Sequence, residues 1–141
     1  MANWKARLLI SATALAACAT VTGSAVSTAA QAAAPAQADL PPGVVQLDDG
    51  EACPPGTLCL YRDYNRQGPA YGIGAGYRVA LMDLPMGDDT AANNVSSWIN
   101  NTHDVAILID AEEGKARPLP PGHPLEEPES DNDTVDLVAW G

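Results

Sequence analysis

The sequence is short of aromatic and basic side chains. It has no Phe, 3 Trp and 4 Tyr in 141 residues, so a core must be built mostly from Leu, Ile, Val, Ala and Met. Its 7 Lys and Arg stand against 18 Asp and Glu. This excludes nucleic acid as a natural partner, because phosphate binding needs a basic surface. Cationic proteins or divalent ions suit the negative field, although such a charge also serves solubility alone.

The groups that catalysis needs are scarce as well. The two histidines, His103 and His123, lie beside turn residues, and zinc needs three or four convergent ligands. Ser96 and Ser97 have no histidine at motif spacing, and no Gly-rich loop precedes a Lys-Ser or Lys-Thr pair. The acidic clusters lie in loops, where nothing indicates a buried carboxylate pair. We therefore expect that the protein is not an enzyme.

No apolar stretch is long enough to predict a membrane span. Lys5 and Arg7 precede a run of apolar and small residues over 8–21, and small-x-small sites end at Ala32 and Ala38. This order is typical of a secretory signal peptide. We expect a signal peptide over residues 1–38, with cleavage after Ala38 or alternatively after Ala32. The mature protein is then secreted and extracellular.

A second interpretation of the N-terminus is lipidation. Residues 15–18, Leu-Ala-Ala-Cys, resemble a bacterial lipobox in which Cys18 would carry the lipid. The residues after Cys18 stay small and apolar, and two good cleavage sites follow, which favours secretion without a membrane anchor. Loss of the signal removes Lys5 and Arg7, leaving 5 basic against 18 acidic residues and a net charge near −13. It also leaves two cysteines, an even number that suits one disulfide.

Those two cysteines, Cys53 and Cys59, flank a Pro-Pro-Gly turn. The prolines fix φ and Gly56 permits a positive φ, so the chain reverses tightly here. A disulfide between them would close a short ring and add about 2 kcal/mol of stability by the chain-entropy estimate. The other possibility is a pair of free buried thiols, and export favours the disulfide.

The remaining chain predicts a single all-β domain. We expect a flexible N-terminal lead over residues 39–51 and one domain over residues 52–141. Frequent Gly and Pro and the lack of a sustained helical period favour a Greek-key β-sandwich. A faint two-fold repeat aligns Tyr61 with Leu108 and Asn93 with Asn132. The predicted strands are 58–62, 70–73, 77–82, 95–100, 105–109, 115–119 and 135–140, and the large core side chains are Tyr61, Tyr64, Tyr71, Tyr77, Trp98 and Trp140.

The cysteine motif also carries a family resemblance. Residues 53–61, Cys-Pro-Pro-Gly-Thr-Leu-Cys-Leu-Tyr, resemble the opening motif Cys-Pro-x-Gly-x-x-Cys of small secreted bacterial peptidase inhibitors of the Streptomyces metalloproteinase inhibitor type. Residues 93–98 resemble that family's Asn-Asp-x-x-Ser-Ser strand entry, and residues 119–122 resemble its Leu-x-Pro-Gly turn. The resemblance spans about residues 52–141. It implies a βγ-crystallin-like Greek-key sandwich with one disulfide.

The function implied by the resemblance is inhibition of an extracellular protease, most directly a zinc metalloendopeptidase, by a substrate-like loop of a monomeric inhibitor. The family's type member holds its reactive loop with a second disulfide, whereas this chain has no cysteine after Cys59. The corresponding connection here is residues 110–117. Its Lys115 and Arg117 either face the protease or only offset Glu112 and Glu113. The candidate inhibitory residues are Asp110, Ala111, Glu112, Glu113, Gly114, Lys115, Ala116 and Arg117.

Two oxygen-rich turns are candidates for calcium, which prefers carboxylate, amide and backbone oxygens. The family's calcium pattern is damaged here, because Ala92 replaces an Asn or Asp and Asp136-Leu137 replaces Ser-Ser. We therefore expect no cofactor and weak or absent calcium binding. The alternative function is an extracellular βγ-crystallin-like calcium-binding or adhesive module without a protease target. The candidate ligands are Asn93, Asn94, Ser96, Asn132 and Asp133.

Overall fold

The structure is a computed structural model that describes residues 39–141. The predicted signal peptide, its cleavage sites and Cys18 lie outside these residues. Within them, no helix has the length and apolarity that a membrane crossing requires. The expectation of an all-β chain is confirmed. The strands are β1 Val44–Leu47, β2 Thr57–Asp63, β3 Gln67–Gly74, β4 Val79–Ala80, β5 Pro85–Met86, β6 Asp89–Thr90, β7 Ser97–Asn101, β8 Ala106–Asp110, β9 Lys115–Leu119, β10 Pro124–Glu126 and β11 Leu137–Trp140.

Two antiparallel sheets make up the domain. One has the strand order β1-β3-β2-β7-β10 and the other the order β4-β11-β8-β9, while β5 and β6 form a separate small hairpin. The first sheet consists mainly of strands from the first half of the domain, and the second sheet mainly of strands from the second half. The exceptions are β10, which comes from the second half and joins the first sheet, and β4, which comes from the first half and joins the second sheet. This exchange produces the Greek-key connection and makes the two halves interdependent.

The core lies between the sheets and follows the period of two along each strand. In β2, Leu58 and Leu60 join the main core cluster, and in β8 the side chains of Ala106 and Leu108 do the same. Trp98 of β7 is fully buried in that cluster. On the opposite face of β2, a second cluster contains the four buried side chains Leu47, Cys59, Tyr61 and Ala70.

The predicted disulfide is confirmed. Cys53 and Cys59 are bonded, with their Cα atoms 5.9 Å apart. Cys59 lies in β2, between β3 and β7 in the middle of the first sheet. The bridge therefore ties the Pro-Pro-Gly loop to a central strand of the fold.

The prediction of a flexible lead over residues 39–51 is wrong for its central part. Residues 44–47 form β1, which pairs with β3 from Val44↔Ile73 to Leu47↔Ala70. A turn starts the strand, because the Val44 N–H donates to the Pro41 carbonyl at 3.1 Å. Val44 and Leu47 are buried, so burial of two side chains fixes a segment that looked polar in sequence.

Other predicted features also shift in the structure. The strand expected over 77–82 is interrupted, because Leu81–Asp83 form a 3₁₀ turn directly after β4. Two tyrosines expected in the core are exposed instead, Tyr64 at 40% and Tyr77 at 47%. Both lie next to turns, where hydrophobicity alone does not indicate the direction of the side chain.

The internal repeat is visible in the backbone contacts, but its alignment differs by one residue from the predicted one. The N–H of Asn93 donates to the Val135 carbonyl at 3.0 Å, and the N–H of Asp133 donates to the Val95 carbonyl at 3.4 Å. Asn93 and Asp133 both have a left-handed φ, of 55° and 56°. Asn93 thus corresponds to Asp133 rather than to Asn132.

Candidate functional site

One end of the sandwich carries two hairpin loops with an acidic stretch between them. The first loop is Tyr64–Arg66, between β2 and β3, and the second loop is residues 111–114, between β8 and β9. The acidic segment is residues 126–133. The Asn65 N–H donates to Glu126 Oε2 at 2.9 Å, and Glu127 pairs with Arg117 of β9. The acidic segment therefore contacts the first loop on one side and the base of the second loop on the other.

The second loop is exposed but its backbone is anchored. Residues 111–116 are all exposed, whereas Asp110 at the end of β8 is 5% exposed. Asp110 Oδ1 accepts the N–H of Glu113 at 2.8 Å, and Asp136 Oδ2 accepts the N–H of Ala111 at 2.8 Å. Two carboxylates from the body of the domain thus hold a protruding turn in one conformation.

The two basic residues of the predicted inhibitory region are both engaged in ion pairs. Arg117 donates from Nη1 and Nη2 to Glu127 at 2.6 and 2.9 Å, and the side chain of Glu127 is 0% exposed. The buried Trp98 Nε1 donates to the same carboxylate at 2.7 Å. These bonds to Glu127 raise the pKa of Arg117. Arg117 is therefore a structural residue at the base of the hairpin.

Lys115 donates to Asp131, and this hydrogen bond lowers the pKa of the Asp131 carboxyl. The suggestion that Lys115 and Arg117 merely offset Glu112 and Glu113 is wrong about their partners. Both cations instead bind the acidic segment, and so they fasten it to β9.

The first loop is more strained than the second. Asn65 and Arg66 both have left-handed φ values, 59° and 57°. Asn tolerates this conformation, but for Arg it is uncommon and carries a conformational cost. In the second loop, the only positive φ belongs to Gly114, which adopts it freely. The structure therefore concentrates backbone strain in the first loop.

The strain is maintained by hydrogen bonds to buried or anchored groups. The Arg66 N–H donates to Ser97 Oγ at 3.0 Å, and Ser97 Oγ donates to the Asp63 carbonyl at 2.7 Å. Ser97 is fully buried. The side chains of Tyr64, Asn65 and Arg66 are exposed. Sequence reasoning indicated a turn here from its dense Asn, Gly and Pro, but it had no signal for the strain, which depends on Ser97 far along the chain.

The residues proposed for calcium lie in the two paired strand entries, around Asn93 and Asp133. Asn132 Nδ2 donates to Asp133 Oδ2 at 2.7 Å, while Asn132 Oδ1 is buried without a hydrogen-bond partner. Burial raises the pKa of Asp133. Among residues 39–141, no three His, Cys, Asp or Glu side chains cluster as metal ligands would. The expectation of weak or absent calcium binding stays a prediction.

Comparison with known proteins adds a family and a fold. The model of peptidase inhibitor family I36 matches residues 46–111, which include the disulfide and the first loop but end at the start of the second loop. A solved structure described as "Evolution of the eye lens beta-gamma-crystallin domain fold" is similar with a TM-score of 0.54 and 19% identity, covering 70% of this chain and 96% of the other. At that identity the similarity shows the fold alone. The search of curated proteins found no match.

The resemblance inferred from the cysteine motif is thus confirmed independently by sequence and by fold. The disulfide motif lies within the matched residues, and the sandwich of a five-stranded and a four-stranded sheet has the βγ-crystallin fold. Over residues 46–111 this chain is similar to peptidase inhibitor family I36, a family of inhibitors and not of enzymes.

Proposed function

We propose that the protein is a secreted inhibitor of an extracellular zinc endopeptidase and that the second loop, residues 111–114, enters the active-site cleft. The observation that carries the proposal is the combination of exposure and anchoring in this loop. Its side chains are exposed, while the N–H groups of Ala111 and Glu113 are held by the carboxylates of Asp136 and Asp110. A pre-organised loop loses little conformational entropy on binding, so more of its contact energy appears as affinity.

The same anchoring explains how the loop would resist cleavage. A peptidase cleft binds its substrate in an extended form, whereas Asp110 and Lys115 at the base of this loop pair as neighbours in the sheet. Opening the turn would break that pairing. The ion pairs of Lys115 with Asp131 and of Arg117 with Glu127 hold β9 against the acidic segment. In this proposal they supply the restraint for which the type member of the resembled family uses a second disulfide.

The preference for zinc endopeptidases rests on the resemblance of the Cys53–Cys59 motif to metalloproteinase inhibitors. Its test is a panel of secreted zinc and serine endopeptidases assayed with the protein comprising residues 39–141. We expect inhibition of at least one zinc enzyme at an inhibitor concentration that leaves the serine enzymes active. Inhibition confined to serine enzymes would refute the choice of target, and no inhibition of any endopeptidase would refute the function.

A loop variant tests the proposed contact directly. Glu112→Gly with Glu113→Ser changes the exposed tip and leaves Asp110, Lys115 and Arg117 in place, so the fold should persist. We expect the inhibition constant to rise at least about tenfold, the loss of about 1.4 kcal/mol. The matched control is His103→Gly with Asp104→Ser, two exposed residues in a turn after β7, at the opposite end of the domain. Equal inhibition by both variants and the parent would place the contact elsewhere.

A calcium-binding or adhesive module remains the second candidate, favoured by the buried and unpaired Oδ1 of Asn132. A buried carbonyl oxygen without a partner is costly, and a bound cation or water would satisfy it. We expect calorimetry at physiological salt to find weak or no calcium binding, because the entry loops lack the Ser-Ser pair in one half and an acidic or amide ligand in the other. Micromolar affinity would favour this second candidate instead.

A further inference from the structure

We propose that the first loop, Tyr64–Arg66, is a second contact with the peptidase and binds a carboxylate that lies beside an apolar patch on the rim of its cleft. This inference rests on the proposed inhibitory function and extends it to a surface made of two loops. Four features of the first loop support it: its strain, its unpaired cation, its exposed tyrosine and its position.

The strain has no counterpart in the equivalent loop of the other half of the domain, the second loop. The second loop makes the equivalent connection in four residues and needs only Gly114 at a positive φ. The first loop makes its connection in three residues, Tyr64–Arg66, and holds Arg66 at φ 57°, where a glycine would cost nothing in the folded state. Strained non-glycine residues persist when the surrounding structure fixes them, and they are concentrated at binding and active sites. The loop thus holds an arginine in a backbone conformation that is unfavourable for any residue with a side chain.

The guanidinium of Arg66 also forms no ion pair within residues 39–141. Among residues 39–141, Arg62, Lys115 and Arg117 each form an ion pair with a carboxylate. Within the same residues, Arg66 and Arg78 have no carboxylate oxygen within 4.0 Å. An unpaired guanidinium in a strongly acidic domain is available to a carboxylate of a partner, which it can bind through two parallel hydrogen bonds.

Tyr64 adds apolar contact in the same loop. It is exposed at 40%, and it stands two residues before Arg66 in the same loop. Tyr and Arg are among the residue types that most often dominate the binding energy of protein interfaces. Tyr buries a large area with few rotatable bonds, and Arg carries a planar charged group. The pair therefore suits a partner surface that combines a carboxylate with apolar groups.

Position links the first loop to the proposed inhibitory contact. Glu126 accepts the N–H of Asn65, and the adjacent Glu127 holds Arg117 at the base of the second loop. A short segment of two neighbouring carboxylates therefore fixes both loops at the same end of the domain. A peptidase that receives the second loop would meet the first loop at the margin of its cleft.

The test uses the peptidase that the parent inhibits most strongly and three variants: R66E, R66G and R78E. We expect R66E to raise the inhibition constant at least about tenfold, with the effect decreasing at high salt, because the contact is between exposed charges. Arg78, immediately before β4, is the second exposed arginine without an ion pair. R78E makes the same change of charge there, and we expect its inhibition constant to stay within about twofold of the parent value.

R66G separates binding from folding. Glycine accepts the backbone conformation of residue 66, so the midpoint of urea unfolding should not fall, yet inhibition should weaken by about tenfold. If Arg66 were only a part of the fold, R66G would inhibit as well as the parent, and the inference would be wrong. Inhibition that survives R66E but is lost in the variant of Glu112 and Glu113 would overturn this inference and leave the proposed function standing. A parent that inhibits no peptidase would overturn both.

Discussion

Replacement of Arg117 by alanine should destabilise the domain far more than its place on an edge strand suggests. Glu127 has a side chain that is 0% exposed, and it accepts two hydrogen bonds from Arg117 and one from Trp98. In the variant, the carboxylate would keep the Trp98 bond and lose its positive partner. Removal of one member of a buried ion pair costs about 3–5 kcal/mol, because the remaining charge has neither water nor a counter-ion.

The structure places the expected cost at the lower end of that range. The Arg117 side chain is 18% exposed, so water can reach part of the space it leaves. We therefore expect the free energy of unfolding to fall by about 3 kcal/mol, a large share of the 5–15 kcal/mol typical of a domain. For a domain of this size, the melting temperature should fall by at least about 12 °C.

Urea unfolding followed by tryptophan fluorescence measures the change, since Trp98 is fully buried in the parent. The control is the double variant Arg117→Ala with Glu127→Gln, whose neutral amide can still accept the Trp98 hydrogen bond. We expect the double variant to recover at least about half of the lost stability, because no charge is left buried. A loss below about 1 kcal/mol in the single variant would refute the argument, since only an exposed pair is worth so little.

Two further predictions concern the acidic segment and the disulfide. Lys115 lowers the pKa of Asp131 below its usual 3.8, so the pair stabilises the fold above that pH and loses its contribution as the pH falls through the lowered pKa. In Lys115→Met, the urea midpoint should therefore fall less steeply with acidification below about pH 4 than in the parent. An unchanged dependence of the midpoint on pH would contradict this. Replacement of Cys53 and Cys59 by serine should lower the free energy of unfolding by about 2 kcal/mol. Without reduction, the protein comprising residues 39–141 should contain no thiol that iodoacetamide can alkylate, as mass spectrometry would show.

Local patterns in the sequence were sufficient for part of this fold. The six-residue spacing of Cys53 and Cys59 around a rigid turn predicted the bridge. The strand at Lys115–Leu119 agrees with the prediction at both ends. In each case the prediction depends on a few neighbouring residues. The turn residues between the two cysteines indicate the bridge, and the local sequence pattern indicates the strand.

Features that depend on distant residues could not be predicted in the same way. The segment around Val44 and Leu47 looked like a polar lead because its pairing partner is β3, more than twenty residues away. The partners of Lys115 and Arg117 are set by the path of the acidic segment rather than by the adjacent Glu112 and Glu113. Burial of an acidic side chain such as Glu127 contradicts simple hydropathy and becomes understandable only with Arg117 and Trp98 in place.

The candidate site shows the same division. Residues 110–117 could be predicted from the sequence because they correspond to the reactive loop of the resembled inhibitor family. Arg66 was not among the candidate inhibitory residues, because its importance depends on a backbone angle that Ser97 helps to fix. Neither composition nor periodicity indicates that an arginine has a positive φ, so this feature becomes visible only in the three-dimensional structure.

The order of the strands also bears on self-association. An edge strand with free N–H and C=O groups invites pairing with a second molecule. Here β9 contains Pro118 and β10 begins at Pro124, and proline has no N–H to donate. The other two edges, β1 and β4, are only four and two residues long. Within residues 39–141, each edge of the two large sheets is thus short or interrupted by proline, so a second copy of the domain finds little template there for strand pairing.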